Sequence, residues 1–288
     1  MRLSRRAFCA CLLCGLASAR ATSVSAAADA AGSVPPGAGD LSSRAAAAPP
    51  LSPPAPVLPP IKAGRLIEPK LHVPKGGNAA PQVALTLDAC SGATDHRILD
   101  LLIAKEIPAT FFVTGRWIRK NPEALALIAA RPDLFEVENH GLNHVPAIDL
   151  SGTVYGIAAA GSMDAVRKEV EEGARFITDA GLAAPRWFRG ATARYTPASA
   201  AEIRAMGYRI AGYSLNGDDG ASVAAKTATR RIAAARDGDV IIAHVNQPTH
   251  PAGAGVAEGL AALKERGARF LKLSEVEADA MAAVGDDG

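Results

Sequence analysis

The sequence predicts a parallel α/β fold that begins near residue 80. Three observations carry it. Short apolar segments recur at residues 83–87, 109–113, 134–139, 186–189, 208–215, 239–245 and 269–273. Segments with helical spacing of apolar residues separate most of them, the signature of a parallel sheet covered by helices. Polar side chains of catalytic type stand at the ends of the apolar segments, where such folds carry their chemistry.

The elements follow in order. Residues 83–87 (Val-Ala-Leu-Thr-Leu) are a first buried strand. Ile98, Leu101 and Leu102 give residues 95–105 one apolar helical face. Thr110-Phe111-Phe112-Val113 marks the second strand, and Pro122 opens a helix for which Asn121 is the expected N-cap. In residues 134–139, Phe135 and Val137 alternate with Glu136 and Glu138, a strand period of two. Ser162 caps a long helix that Gly181 ends. Pro197 opens another helix, and residues 222–236 and 256–266 complete the set. Seven such units in about 200 residues fit either an open doubly wound sheet or a barrel, and periodicity does not separate the two.

Ahead of this region, residues 1–26 read as an export signal. Arg2, Arg5 and Arg6 precede a short apolar run, and cleavage is expected after Ala21 or Ala26. Ser4-Arg5-Arg6-Ala7-Phe8 resembles a twin-arginine signal, so a periplasmic or extracellular destination is expected. The apolar run is too short for a stable membrane span. Residues 27–64, rich in Ala and Pro, read as a disordered linker, and residues 65–288 as the folded domain. Cys9, Cys11 and Cys14 leave with the signal, so Cys90 remains alone and no intramolecular disulfide is expected. The net charge of +2 and the lack of a basic, aromatic-interleaved stripe exclude a nucleic-acid partner.

The polar groups at the strand ends are Asp88, His140 with His144, Arg189, Asn216 with Asp218 and Asp219, and His244. His140 and His144 are four residues apart. On a helix-like turn they would share a face and grip one divalent ion.

With these residues in view, the chain resembles the polysaccharide deacetylases that share the chitooligosaccharide deacetylase homology domain (carbohydrate esterase family four). The resemblance covers residues 80–276. Thr86-Leu87-Asp88-Ala89 resembles the family's Thr-Phe-Asp-Asp motif, and His140 to His144 its histidine pair. Phe188-Arg189-Gly190, the carboxylate at Asp219 or Asp218, and Ile242-Ala243-His244 resemble the remaining three. The resemblance implies a distorted (β/α) barrel of about seven parallel strands. It also implies an exported hydrolase that removes N-acetyl groups from an acetylated glycan with a divalent metal, usually zinc. His140 and His144 would bind the metal and Asp88 would be the general base, oriented by Arg189. His244 would be the general acid, tuned by Asp219 or by Asp218.

One position departs from the family. Its second aspartate, a metal ligand, is Ala89 here. Asp95 is the first candidate to replace it, followed by Glu138 and Cys90, and a weakly held metal is the remaining expectation. The departure leaves two alternatives open: a catalytically disarmed glycan-binding protein, and a related ester or amide hydrolase.

Overall fold

A computed structural model describes residues 58–77 and 80–276. The predicted signal, and the linker up to residue 57, lie outside the described residues. Pro60 and Ile61, within the stretch read as linker, lie against Thr153, where the Ile61 amide donates to its carbonyl at 2.9 Å. Among the described residues no helix is long and apolar enough to cross a membrane.

The strands and helices run, in chain order, β1 Gln82–Ala89, α1 His96–Ala104, β2 Ala109–Val113, α2 Gly115–Lys120, α3 Pro122–Ala129 and β3 Phe135–Asn139. A small hairpin, β4 Thr153–Val154 and β5 Ile157–Ala158, precedes the long α4 Met163–Asp179. Then come β6 Trp187–Phe188, α5 Pro197–Ala205, β7 Arg209–Ile210, β8 Leu215–Asn216, α6 Ala225–Ala233, β9 Val240–His244, α7 Ala252–Glu265 and β10 Arg269–Leu271.

The main sheet is parallel, in the order β7-β6-β3-β2-β1-β9-β8, and β10 pairs with the first residues of β1. The predicted fifth strand, residues 208–215, is not one strand. Its start, β7, is one edge of the sheet and its continuation, β8, is the other. The Ala211 amide still donates to Phe188 O, while the Ser214 amide donates to Val240 O. Four residues thus cross from one edge to the other, and the sheet curls into the distorted (β/α) barrel that the resemblance implies. Gly212 sits at this crossing because a Cβ there would lie 2.1 Å from Pro69 O.

Strand parity divides the core. Val83, Leu85, Leu87 and Ala89 of β1 face the helices and join Leu99, Phe111, Trp117 and Leu260 in the outer core. Ala84 faces inward with Phe112, Trp187, Val240 and Leu271. Burying each large apolar side chain contributes roughly 1.5–3 kcal/mol. Thr86 and Asp88 share the inward parity, so the polar end of β1 opens into the mouth of the barrel.

Two local readings change. Ser162 does cap α4, accepting from the Ala165 amide at 3.3 Å. Asn121 does not cap α3; its Oδ1 accepts from the Thr94 amide, and its Nδ2 donates to Gly92 and Trp117 carbonyls, pinning the β1–α1 loop instead. Helix α2 is not evident in the sequence because six residues hold less than two turns of pattern. Thr114 caps it by accepting from the Trp117 amide.

Candidate active site

The mouth of the barrel holds a cleft of 520 Å³ lined, among others, by Asp88, Cys90, His140, His144, Tyr155, Tyr213 and His244. The fold brings Asp88 and His244 side by side, as register partners on β1 and β9. Asp88 is buried at the end of β1. Its Oδ1 accepts from Arg189 Nη1 at 2.8 Å, and its Oδ2 lies 3.7 Å from His140 Nε2.

Arg189 is fully buried, and each of its three side-chain nitrogens has a partner. Nη1 also reaches Thr86 Oγ1 at 2.9 Å, Nε donates to Ala211 O and Nη2 to Gly212 O. Its guanidinium stacks 4.4 Å from the Phe112 ring centroid. One side chain therefore ties the Asp88 carboxylate to the segment that closes the barrel. Burial pushes the Asp88 pKa up, but Arg189 and the facing histidines outweigh it and hold the carboxyl below its ordinary range.

His140 and His144 lie on the loop after β3. The loop is not the helical turn that would put them on one face. Gly141 has φ +86° and His144 has φ +61°, so left-handed residues fold the chain back. Their rings come to a centroid separation of 5.1 Å. Glycine is required at 141 twice over, because a Cβ would also lie 2.5 Å from Glu169 Oε1. Glu169, on α4, accepts from the Asn143 and Val145 amides and so holds the loop from below. The sequence reading missed it, since a carboxylate on an amphipathic helix resembles a solvated one. The Nδ1–H of His140 donates to Arg189 O at 2.5 Å, because a carbonyl can only accept, and this leaves Nε2 as the nitrogen that faces Cys90 and Asp88.

Cys90 completes this group. Its Sγ is 3.6 Å from His140 Nε2, and Cys90, His140 and His144 each offer a donor atom within 4.8 Å of the others. Burial alone would raise the thiol pKa; hydrogen bonds with His140, His144 and His244 hold it well below its ordinary value.

His244 is held by Asp218, not by Asp219. Asp218 is fully buried; its Oδ1 accepts from His244 Nδ1 at 2.9 Å and its Oδ2 from the His244 amide at 2.7 Å. Burial would lower the imidazole pKa, but Asp218 raises it well above its ordinary value. Asp219 turns away to the cleft rim, where it pairs with Arg231 at 2.8 Å. Adjacent residues in this turn point apart, and their order in sequence carries no sign of which one faces β9.

Asp95 and Glu138 do not join the site. Asp95 caps α1 by accepting from the Arg97 amide and forms a bidentate pair with the Arg97 guanidinium. Glu138 accepts from the Arg186 and Trp187 amides and anchors the start of β6; burial pushes its pKa up to about 7. Ala89 packs in the outer core, so the residue at the family's ligand position faces the helices.

Residues 75–211 match the family model for polysaccharide deacetylase. Over these residues the chain resembles the polysaccharide deacetylase family. The matched stretch contains Asp88, Cys90, both loop histidines and Arg189, while Asp218 and His244 follow it. A chitooligosaccharide deacetylase of Sinorhizobium fredii (strain NBRC 101917 / NGR234) is 36% identical over 73 residues, which are 25% of this chain and 33% of that protein. The matched part thus spans about a third of the length of that curated relative. The fold is similar to the Bc1960 peptidoglycan N-acetylglucosamine deacetylase (TM-score 0.59, 24% identity, covering 72% of this chain and 91% of that one). It is also similar to BA3943, a CE4 family pseudoenzyme from Bacillus anthracis (TM-score 0.55, 20% identity, covering 72% and 70%).

Proposed function

We propose that the domain is an exported, divalent-metal-dependent hydrolase that removes N-acetyl groups from an acetylated glycan. One observation carries the reading. Asp88, paired with the Arg189 guanidinium, and His244, paired with the Asp218 carboxylate, lie side by side on β1 and β9 at one cleft. A pure binding protein needs neither a poised base nor a poised acid.

The side chains present suit a divalent ion. His140 and His144 offer imidazole nitrogens close together, with a third donor beside them. His140 and His144 would hold it. When bound, such an ion supplies Lewis acidity, polarising an acyl carbonyl and acidifying water. Asp88, ionised at neutral pH, takes the proton from the attacking water through Oδ2. Arg189 fixes Oδ1 and thereby aims the other oxygen. As the C–N bond breaks, His244 gives its Nε2 proton to the leaving nitrogen, because an amine anion is a poor leaving group. Asp218 fixes the ring and favours its charged form. Acetate and a free amine are the products. Residues 1–26 support an address outside the cytoplasm.

A disarmed glycan-binding protein is the second reading, and the alanine at position 89 favours it. Acetate release from N-acetylglucosamine oligomers, assayed with and without added zinc, separates the two. Metal-stimulated release is the expected outcome. Oligomer binding without release by metal-loaded protein would identify the disarmed form.

A further inference from the structure

We propose that the Cys90 thiolate is the third protein ligand of the metal, in place of the carboxylate that the family carries one residue earlier. This rests on the metal-dependent reading above and adds a ligand to the same site.

The geometry comes first. Tetrahedral zinc with bonds of about 2.3 Å to sulfur and 2.0–2.1 Å to nitrogen sets the two ligand atoms roughly 3.5 Å apart. Cys90 Sγ and His140 Nε2 are 3.6 Å apart. The third donor, on His144, lies within 4.8 Å of both, a gap that small rotations of a partly exposed side chain can close.

The orientation of each donor agrees. His140 spends its Nδ1–H on the Arg189 carbonyl, so Nε2 is the ring nitrogen that faces Cys90 and is left for a metal. A ligating imidazole oriented by a backbone carbonyl on its other nitrogen is the usual outer-shell arrangement. Cys90 is buried, and it sits one residue past β1, where parity brings its side chain to the cleft while Ala89 goes to the outer core. The other two candidates for the missing ligand are already engaged, Asp95 by Arg97 and Glu138 by the start of β6.

The exchange of carboxylate for thiolate has a chemical consequence. Thiolate with two imidazoles selects zinc and other soft or borderline ions, whereas a carboxylate also serves magnesium and manganese. The site should therefore discriminate strongly against manganese and magnesium.

Cobalt is the probe. The test uses the full chain carrying Cys9→Ser, Cys11→Ser and Cys14→Ser, so that Cys90 is the only thiol. Metal-free protein is titrated with cobalt(II) and then competed with zinc. The expected result is a near-ultraviolet thiolate-to-cobalt charge-transfer band that saturates at one ion per chain and is removed by zinc. Adding Cys90→Ser should abolish the band and weaken zinc binding by about 100-fold or more, since even outer-shell changes cost 10–100-fold. Cys90→Asp should restore binding without the band, provided circular dichroism shows it folded. Cobalt bound with no charge-transfer band, and zinc affinity unchanged in Cys90→Ser, would overturn the thiolate ligand and leave the metal-dependent reading standing. No cobalt or zinc binding at all would overturn both.

Discussion

Asp218 holds His244 at two points: one carboxylate oxygen accepts from the ring Nδ1 at 2.9 Å, and the other from the backbone amide at 2.7 Å. The carboxylate is fully buried, so solvent does not compete for either bond. Asparagine at this position can accept from only one of the two donors, and its own amide then faces the other. Asp218→Asn should lower kcat by about 10²–10⁴-fold, the range of a lost or misoriented general acid, with little change in KM. Steady-state kinetics on an N-acetylated oligomer reads this. Unchanged kcat would remove His244 from the acid role.

The Asp88–Arg189 pair makes a stability prediction with the opposite logic. Arg189→Met keeps much of the packing but leaves the Asp88 charge buried without its partner. Breaking a buried pair from one side costs about 3–5 kcal/mol. Urea unfolding should show a loss of that size. A loss below about 1 kcal/mol would mean that solvent or the histidines compensate Asp88.

Asp237 ties down the chain ahead of β1. Its Oδ1 accepts from the Gly76 amide at 3.0 Å and the Gln82 amide at 2.8 Å. The backbone bonds to Gln82 and Gly76, led by the former, hold its carboxyl below the ordinary value. A folded pKa below the unfolded one gives stability that is present above the unfolded value and lost as pH falls through the folded one. Asp237→Asn should therefore unfold at lower urea than the parent at neutral pH. The difference should be smaller at acid pH, as the Asp237 carboxyl becomes protonated, than at neutral pH. An equal difference at both pH values would contradict the assignment.

Gly255, inside α7, sets two effects against each other. Alanine in a helix interior is favoured over glycine by about 0.5–1 kcal/mol. A Cβ at this position would lie 2.0 Å from Ala225 O, on the backbone of α6, which cannot rotate away. Forcing the helices apart costs about 1–3 kcal/mol. Gly255→Ala should thus destabilise, lowering the thermal midpoint. A raised midpoint would show that α6 and α7 separate cheaply.

Much of this was legible in the sequence, and the failures have physical causes. β2 was read at its true limits because Ala-Thr-Phe-Phe-Val is an unbroken buried run between turn signals. The residue types at the barrel mouth were legible because strand ends converge there whatever the side chains do. Residues 208–215 were misread as one strand because an apolar segment that crosses the mouth has the same composition as one that pairs along its length. His140 and His144 do lie close together, but left-handed residues at 141 and 144, not a helical turn, bring them there. That Asp218 rather than Asp219 faces His244, and Cys90 rather than Asp95 faces the histidine pair, depends on which way single side chains turn after a strand ends. Periodicity stops there, and only coordinates carry that information.

Metal-free chain should be titrated with zinc while acetate release from an N-acetylglucosamine oligomer is followed on the same sample. The account predicts no release without metal, a linear rise, and a plateau at one zinc per chain. Full release from metal-free protein, or one zinc bound with no release from any N-acetylated oligomer tried, would contradict it.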